Sequence, residues 1–131
     1  MPDVTFDPPV AGTDGFLQTI RFHVDDRPIA TARWHVVQGT PDGVAQIIDF
    51  QVLPPHQRRG HGKRLIAAVI DQLRAYHRAR KTALRRVWVG LRHKSHVIAR
   101  AFFASQGFTH VATVRDLLSD EDLLIYMRTF N

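Results

Sequence analysis

Between Val52 and Leu65 the chain reads Val-Leu-Pro-Pro-His-Gln-Arg-Arg-Gly-His-Gly-Lys-Arg-Leu, and few folds can use that order. An apolar run meets two prolines, which cannot donate to a ladder and so end a strand. A basic turn with two glycines follows and opens a long amphipathic segment. The glycines let the backbone approach an anion closely, and the N–H groups at a helix start point outward without intrahelical partners. The stretch therefore reads as a strand–turn–helix cradle for phosphate.

The remaining periodicities place this cradle in an α/β domain. Residues 16–25 and 29–38 alternate apolar and polar side chains as half-buried strands do, with a turn at Asp26-Arg27-Pro28. Gly39-Thr40-Pro41-Asp42-Gly43 is a turn signal, and 44–53 is a third, more continuously apolar strand expected near the sheet centre. These three form an antiparallel meander. After Gly60, the residues Leu65, Ile66, Val69, Ile70, Leu73 and Tyr76 recur at helical spacing on one face. A short strand at 85–91 follows, then a helix from a Ser95 cap to about Gln106, with Gly107 at its end. Strands 108–114 and 123–130 close the chain, joined by a linker that could fray into a helical turn. The expected order is β-β-β-α-β-α-β-β, a mixed, mostly antiparallel sheet flanked by helices, with the strands on either side of the first helix parallel.

Composition removes several function classes. A chain of 131 residues is expected to form one domain spanning 1–131, and its 44% hydrophobic content is ordinary for a globular protein. No run approaches the roughly 18 apolar residues of a membrane span, so no membrane partner is expected. The acidic, proline-rich start lacks the layout of a signal peptide, which points to a cytoplasmic location. Without cysteine there is no thiolate nucleophile and no Cys-based metal site, and no metal is expected. The net charge of +6 comes mainly from arginine, concentrated at 58–64 and 74–86, and favours an anionic ligand. No aromatic residues for base stacking interleave with the second cluster. It reads as a solvated helix end beside the cradle, and nucleic acid is not the expected partner.

This order, with these residues, resembles the GNAT superfamily of acyl-CoA-dependent N-acyltransferases. The family turn Gln/Arg-x-x-Gly-x-Gly/Ala is matched by Gln57-Arg58-Arg59-Gly60-His61-Gly62, and its Val-x-Pro lead-in by Val52-Leu53-Pro54. A second family pattern is matched in part by His96, Ala99, Phe103, Gly107 and Phe108, and the last strand by residues 124–128. The resemblance covers about 16–130.

It implies acetyl-CoA as co-substrate, lying where the strands ending at Pro54 and near Leu91 splay apart. The pantetheine arm would pair with backbone groups of Phe50, Val52 and Leu53. The pyrophosphate would sit on Gln57, Arg58, Arg59, Gly60, His61, Gly62 and Lys63, and Arg64 would assist it. His96 and Phe103 would complete the cofactor contacts. The N–H of Val52 would stabilise the oxyanion of the tetrahedral intermediate. The implied reaction is direct attack of a primary amine, of a small molecule or a protein, on the thioester. Asp49 is the candidate to hold or deprotonate that amine, because Gln46 stands where some relatives carry a glutamate base; His23 and His35 are further candidates.

Two departures limit the analogy. Phe103 replaces the tyrosine that commonly donates a proton to the departing thiolate, so Tyr126, His96 or water would have to substitute. The roughly 15 residues before Phe16 cannot make the two helices that usually roof the acceptor site. The acceptor side is expected to be open or closed by a second subunit, as a homodimer. The alternative to an enzyme is a catalytically silent acyl-CoA-binding module.

Overall fold

In a computed structural model the structure describes residues 4–6, 10–11, 17–24, 26–36, 42–53, 60–118 and 120–130. The elements are β1 (Val4–Phe6), β2 (Val10–Ala11), β3 (Leu17–Val24), β4 (Arg27–His35), β5 (Val44–Val52), α1 (His61–Ala79), β6 (Arg86–Arg92), α2 (Val97–Ser105), β7 (Thr109–Leu118) and β8 (Glu121–Thr129). They form one sheet in the order β1-β3-β4-β5-β6-β8-β7, with β2 also paired to β3. The expected β-β-β-α-β-α-β-β order is present as β3 to β8, preceded by two short strands that extend the β3 edge. Among the described residues β5 and β6 form the one parallel pair, and α1 is its crossover connection.

The alternating residues of β3 and β4 explain the face to which the helices bind. Ile20, Phe22, Ala30, Ala32, Trp34 and Val36 are buried, whereas Arg21 and Arg27 are exposed. Helix α1 lays Leu65, Ile66, Val69, Ile70 and Leu73 on this face, as its spacing requires, and Tyr76 is partly buried at its edge. Full burial of each such side chain contributes about 1.5–3 kcal/mol. Trp34 fixes the azimuth of the helix. Its Nε1–H donates to Gln72 Oε1 at 3.3 Å and its ring meets Tyr76 edge-on at 5.2 Å. Helix α2 joins the same face, because Phe50, the cross-strand partner of Ala32, stacks on Phe102 at 5.4 Å.

Local expectations fail in instructive places. Ser95 does not cap α2; its hydroxyl bonds to Glu121, and the helix begins after His96 with no side-chain cap. The linker 115–122 is not helical. β7 continues to Leu118 and β8 begins at Glu121, with irregular pairing between Val114 and Leu118. His77, one turn beyond Leu73 on the same face but not among the expected core residues, is fully buried, and its Nδ1–H donates to Leu73 O at 2.8 Å. Finally, the basic cluster 74–86 lies toward the C-terminal end of α1, not beside the cradle. Nineteen residues of helix separate the two ends, roughly 28 Å.

Candidate active site

The site starts from one extra residue in β5. Asp49 pairs with Arg33 and Ile47 with Trp34, so Ile48 has no opposite number on β4. This bulge shifts the strand's phase. Before it Ala45 and Ile47 point to the core; after it Phe50 and Val52 do, leaving Ile48 and Asp49 consecutively exposed. A bulge bends its strand and strengthens its twist. Accordingly β5 and β6 stay paired only from Val44↔Arg86 to Ile47↔Val89, although β5 runs on to Val52 and β6 to Arg92. The two strands splay apart where the sequence places the cofactor.

A cavity of about 670 Å³ occupies this splay. Its floor is Phe50, Gln51 and Val52 from β5; one wall is Gly60, Gly62 and Lys63 at the start of α1. The other wall is the turn before α2 and its first two turns, from Ser95 to Phe103. Leu53 donates its N–H to Ile29 O at 2.8 Å, so it faces β4 and is not part of the cavity lining. Strand alternation then turns the N–H of Val52 to the opposite side, toward the splay.

The α1 wall is prepared for an anion. Gly60 precedes the helix at φ 80°, ψ 2°, a left-handed conformation that glycine adopts without penalty. Among the described residues, a Cβ there would meet no atom within 4 Å. The first intrahelical bond runs from Arg64 N–H to Gly60 O, leaving the N–H groups of Gly62 and Lys63 at the exposed helix start. No acidic side chain stands in this first turn and no side chain caps it. The helix's own first turn therefore brings no negative charge to the positive end of its dipole. Gly62 has a different reason from the one its sequence suggests. A Cβ there would meet the Phe102 ring at 3.2 Å, so this glycine lets α1 approach α2. His61 turns its ring inward against Phe22, at 5.5 Å, and offers the cleft only its backbone. Gln57, Arg58 and Arg59 lie outside the described residues.

The α2 wall is mostly aromatic. Phe103, 1% exposed, is in contact with Phe50, Phe102 and Phe108 at centroid distances of 5.1–5.3 Å. His96 lines the cleft and accepts the Arg92 N–H on Nδ1 at 2.9 Å. That bond occupies the Nδ1 lone pair and assigns the neutral ring's proton to Nε2. His96 is therefore arranged as a hydrogen-bond donor at the cleft. Tyr126 is not part of the cavity lining: it stacks on His110 at 5.5 Å and its hydroxyl accepts from Arg100 Nε at 3.4 Å. Asp49 is exposed on the sheet face away from the helices, opposite Arg33, and Gln46 sits between His35 and Trp88 in the same sheet.

One contributor escaped the sequence reading. Glu121, the first residue of β8, accepts the N–H groups of Lys94 and Ser95 on Oε1, at 2.8 and 3.1 Å, and the Ser95 hydroxyl on Oε2 at 2.5 Å. The Ser95 hydroxyl is the main reason its carboxyl is held down at about 2, helped by those N–H groups and by Arg92, against a smaller upward push from burial. The local sequence gives no signal for this contact, which spans 26 residues.

The comparisons agree with this geometry. The profile of the acetyltransferase (GNAT) family matches residues 11–108, and the chain belongs to that family. No curated protein matches the sequence. Among solved structures, the fold is similar to an IAA acetyltransferase from Bacillus cereus ATCC 14579 (TM-score 0.78, 13% identity, 98% of this chain and 100% of that one). It is also similar to a GNAT family acetyltransferase from Elizabethkingia anophelis with acetyl-CoA bound (TM-score 0.74, 14% identity, 97% and 98% covered). A third is the ribosomal-protein-S18-alanine N-acetyltransferase from Escherichia coli (TM-score 0.69, 23% identity, 86% and 68% covered). Family membership makes acetyl-CoA the co-substrate, and the uncapped α1 start beside an apolar cleft fits its pyrophosphate and pantetheine.

Proposed function

We propose that the protein transfers the acetyl group of acetyl-CoA to a primary amine by direct attack in a ternary complex. The observation that carries this reading is the bulge at Ile48, which opens β5 from β6 directly beside an acid-free helix start. The pyrophosphate binds the N–H groups at Gly60–Lys63, the family motif assigns it Gln57, Arg58 and Arg59 as well, and the pantetheine follows Phe50 to Val52. The amine nitrogen attacks the thioester carbon, the oxyanion is held by the Val52 N–H, and the C–S bond breaks to release CoA thiolate.

The amine must be neutral to attack. A lysine-like acceptor is neutral about once in 2,500 molecules at pH 7, a handicap of roughly 4.6 kcal/mol, against about 1.4 for an α-amine near pKa 8. Asp49, exposed next to the bulge, is the carboxylate we assign to hold the amine and take its proton. His96, which lines the cleft and keeps its Nε2–H for donation, is the side chain we assign to protonate the departing thiolate, whereas the Tyr126 hydroxyl is engaged away from the cavity. A second subunit closing the sheet face opposite the helices remains part of the proposal, and sedimentation at micromolar concentration tests it.

Thiol release from acetyl-CoA across a panel of α-amines, lysine peptides and polyamines tests the reaction. Turnover with at least one amine is expected. Tight CoA binding without turnover of any acceptor would instead establish the second reading, a silent acyl-CoA-binding module, which the buried Phe103 favours.

A further inference from the structure

Helix α2 forms a wall of the cleft, and its first turn is tied to the preceding turn by Arg100, whose Nη1–H donates to His93 O at 2.7 Å. The helix has no side-chain cap and no acidic residue in its first turn. Its first two residues, Val97 and Ile98, are 58% and 77% exposed, so apolar burial does not hold them either. What else fixes the preceding turn comes from elsewhere in the chain.

We propose that Glu121 is a positioning residue for the cofactor cleft, holding residues 94–96, and through them His96 and the start of α2, in the geometry that binds acyl-CoA. The inference rests on the acyl-CoA reading of the cleft. Its basis is that one nearly buried carboxylate takes two consecutive backbone N–H groups and a hydroxyl from Lys94 and Ser95, the residues immediately before His96. His96 in turn is tied to β6 through the Arg92 N–H. Two further bonds, His93 N–H to Asp122 O at 3.1 Å and Lys94 Nζ to Asp120 O at 2.9 Å, join the same turn to the β7–β8 connection without involving the Glu121 side chain. The fold therefore keeps these ties, and the Arg100 bond to His93 O, when Glu121 is changed, while the N–H groups of Lys94 and Ser95 beside the cleft lose their partner.

The charge of Glu121 supplies a discriminating sign. CoA is a polyanion, so a carboxylate near its cleft disfavours binding by charge alone. Removing that charge should tighten CoA binding if Glu121 acts only electrostatically, and weaken it if Glu121 positions the wall. Titration calorimetry with CoA on wild type, Glu121→Ala, Glu121→Gln, Ser95→Ala and Asp122→Ala reads this directly. The Asp122 side chain accepts the Asp116 N–H within the hairpin, and the bond from the turn goes to its backbone carbonyl, which the substitution keeps, so it serves as the control. We expect Glu121→Ala to weaken CoA about tenfold or more, Glu121→Gln and Ser95→Ala to weaken it less, and Asp122→Ala to leave it unchanged. The rise in the cofactor's KM of the Glu121 variants should exceed the loss in kcat at saturating acetyl-CoA, where bound cofactor restores the wall and leaves only the displacement of His96 to slow turnover.

Equal or tighter binding by Glu121→Gln and unchanged binding by Ser95→Ala would overturn the inference, and these two variants decide the matter if Glu121→Ala does not fold. Failure of wild type itself to bind CoA would remove the acyl-CoA reading instead, and this inference with it.

Discussion

Phe103 occupies the cleft wall with its ring in contact with three other phenylalanines, and it brings no proton to the reaction. Thiols of pKa near 8.5 leave tolerably as thiolates, so the absence slows the reaction more than it blocks it. Phe103→Tyr is accordingly predicted to raise kcat about tenfold, within the range for a general acid, while burial of the new hydroxyl costs about 1–3 kcal/mol of stability. Steady-state kinetics and a melting curve on the same variant check both halves; unchanged kcat would mean that protonation of the thiolate does not limit turnover. Glu121 makes a different residue-scale prediction. Its carboxyl is depressed from 4.5 to about 2, so it adds stability that is complete above its unfolded value and lost as the pH falls through the folded one. Arg92, Lys94, Asp120 and Asp122 are the neighbouring charges. The stability difference between wild type and Glu121→Gln, from urea melts, should be flat above about pH 5 and shrink only between 4.5 and about 2. A difference that changes between about pH 8 and pH 6 would contradict the assignment.

At the scale of elements, the β5 bulge and the α1 start divide the work of making a cleft. Deleting Ile48 should restore unbroken alternation along β5, extend its pairing with β6 and abolish CoA binding in a protein that still folds; circular dichroism and calorimetry together test this. Retained CoA affinity would show that the splay does not depend on the bulge. The two glycines should separate in the same way. Gly60→Asp places a carboxylate at the start of α1 and should remove CoA binding with a modest loss of stability, about 1–2 kcal/mol for the left-handed backbone. Gly62→Asp should instead unsettle the fold, because its side chain meets Phe102. The sequence disclosed the strand–turn–helix junction because prolines, glycines and helical periodicity are local signals. The bulge was also legible in principle: Ala45 and Ile47, then Phe50 and Val52, show apolar spacings of two, three and two. The role of Gly62 and the Glu121 clamp were not legible, since each depends on residues brought together from distant parts of the chain. Ser95 misled for the same reason: a capping residue type just before a helix was recruited by a carboxylate 26 positions away.

Over the whole molecule, both helices lie on one face of the sheet, and among the described residues no helix covers the other. That face carries Asp49, the carboxylate proposed to hold the acceptor amine. The basic residues at the far end of α1 stand apart from the cleft; Arg74 lies over the Phe130 ring at 5.1 Å and Arg80 over Tyr76 at 3.5 Å. They enlarge the positive field that draws an anionic cofactor without touching its site. The central claim is the location of that site, between β5 and α2 with its phosphates on the start of α1. Amide chemical-shift mapping of the ¹⁵N-labelled protein during an acetyl-CoA titration tests it most directly. Saturable shifts should be largest at Val52, Gly60, Gly62, Lys63 and His96, with Arg74 to Arg86 nearly unmoved. Shifts confined to the far end of α1, or none at millimolar acetyl-CoA, would contradict the account.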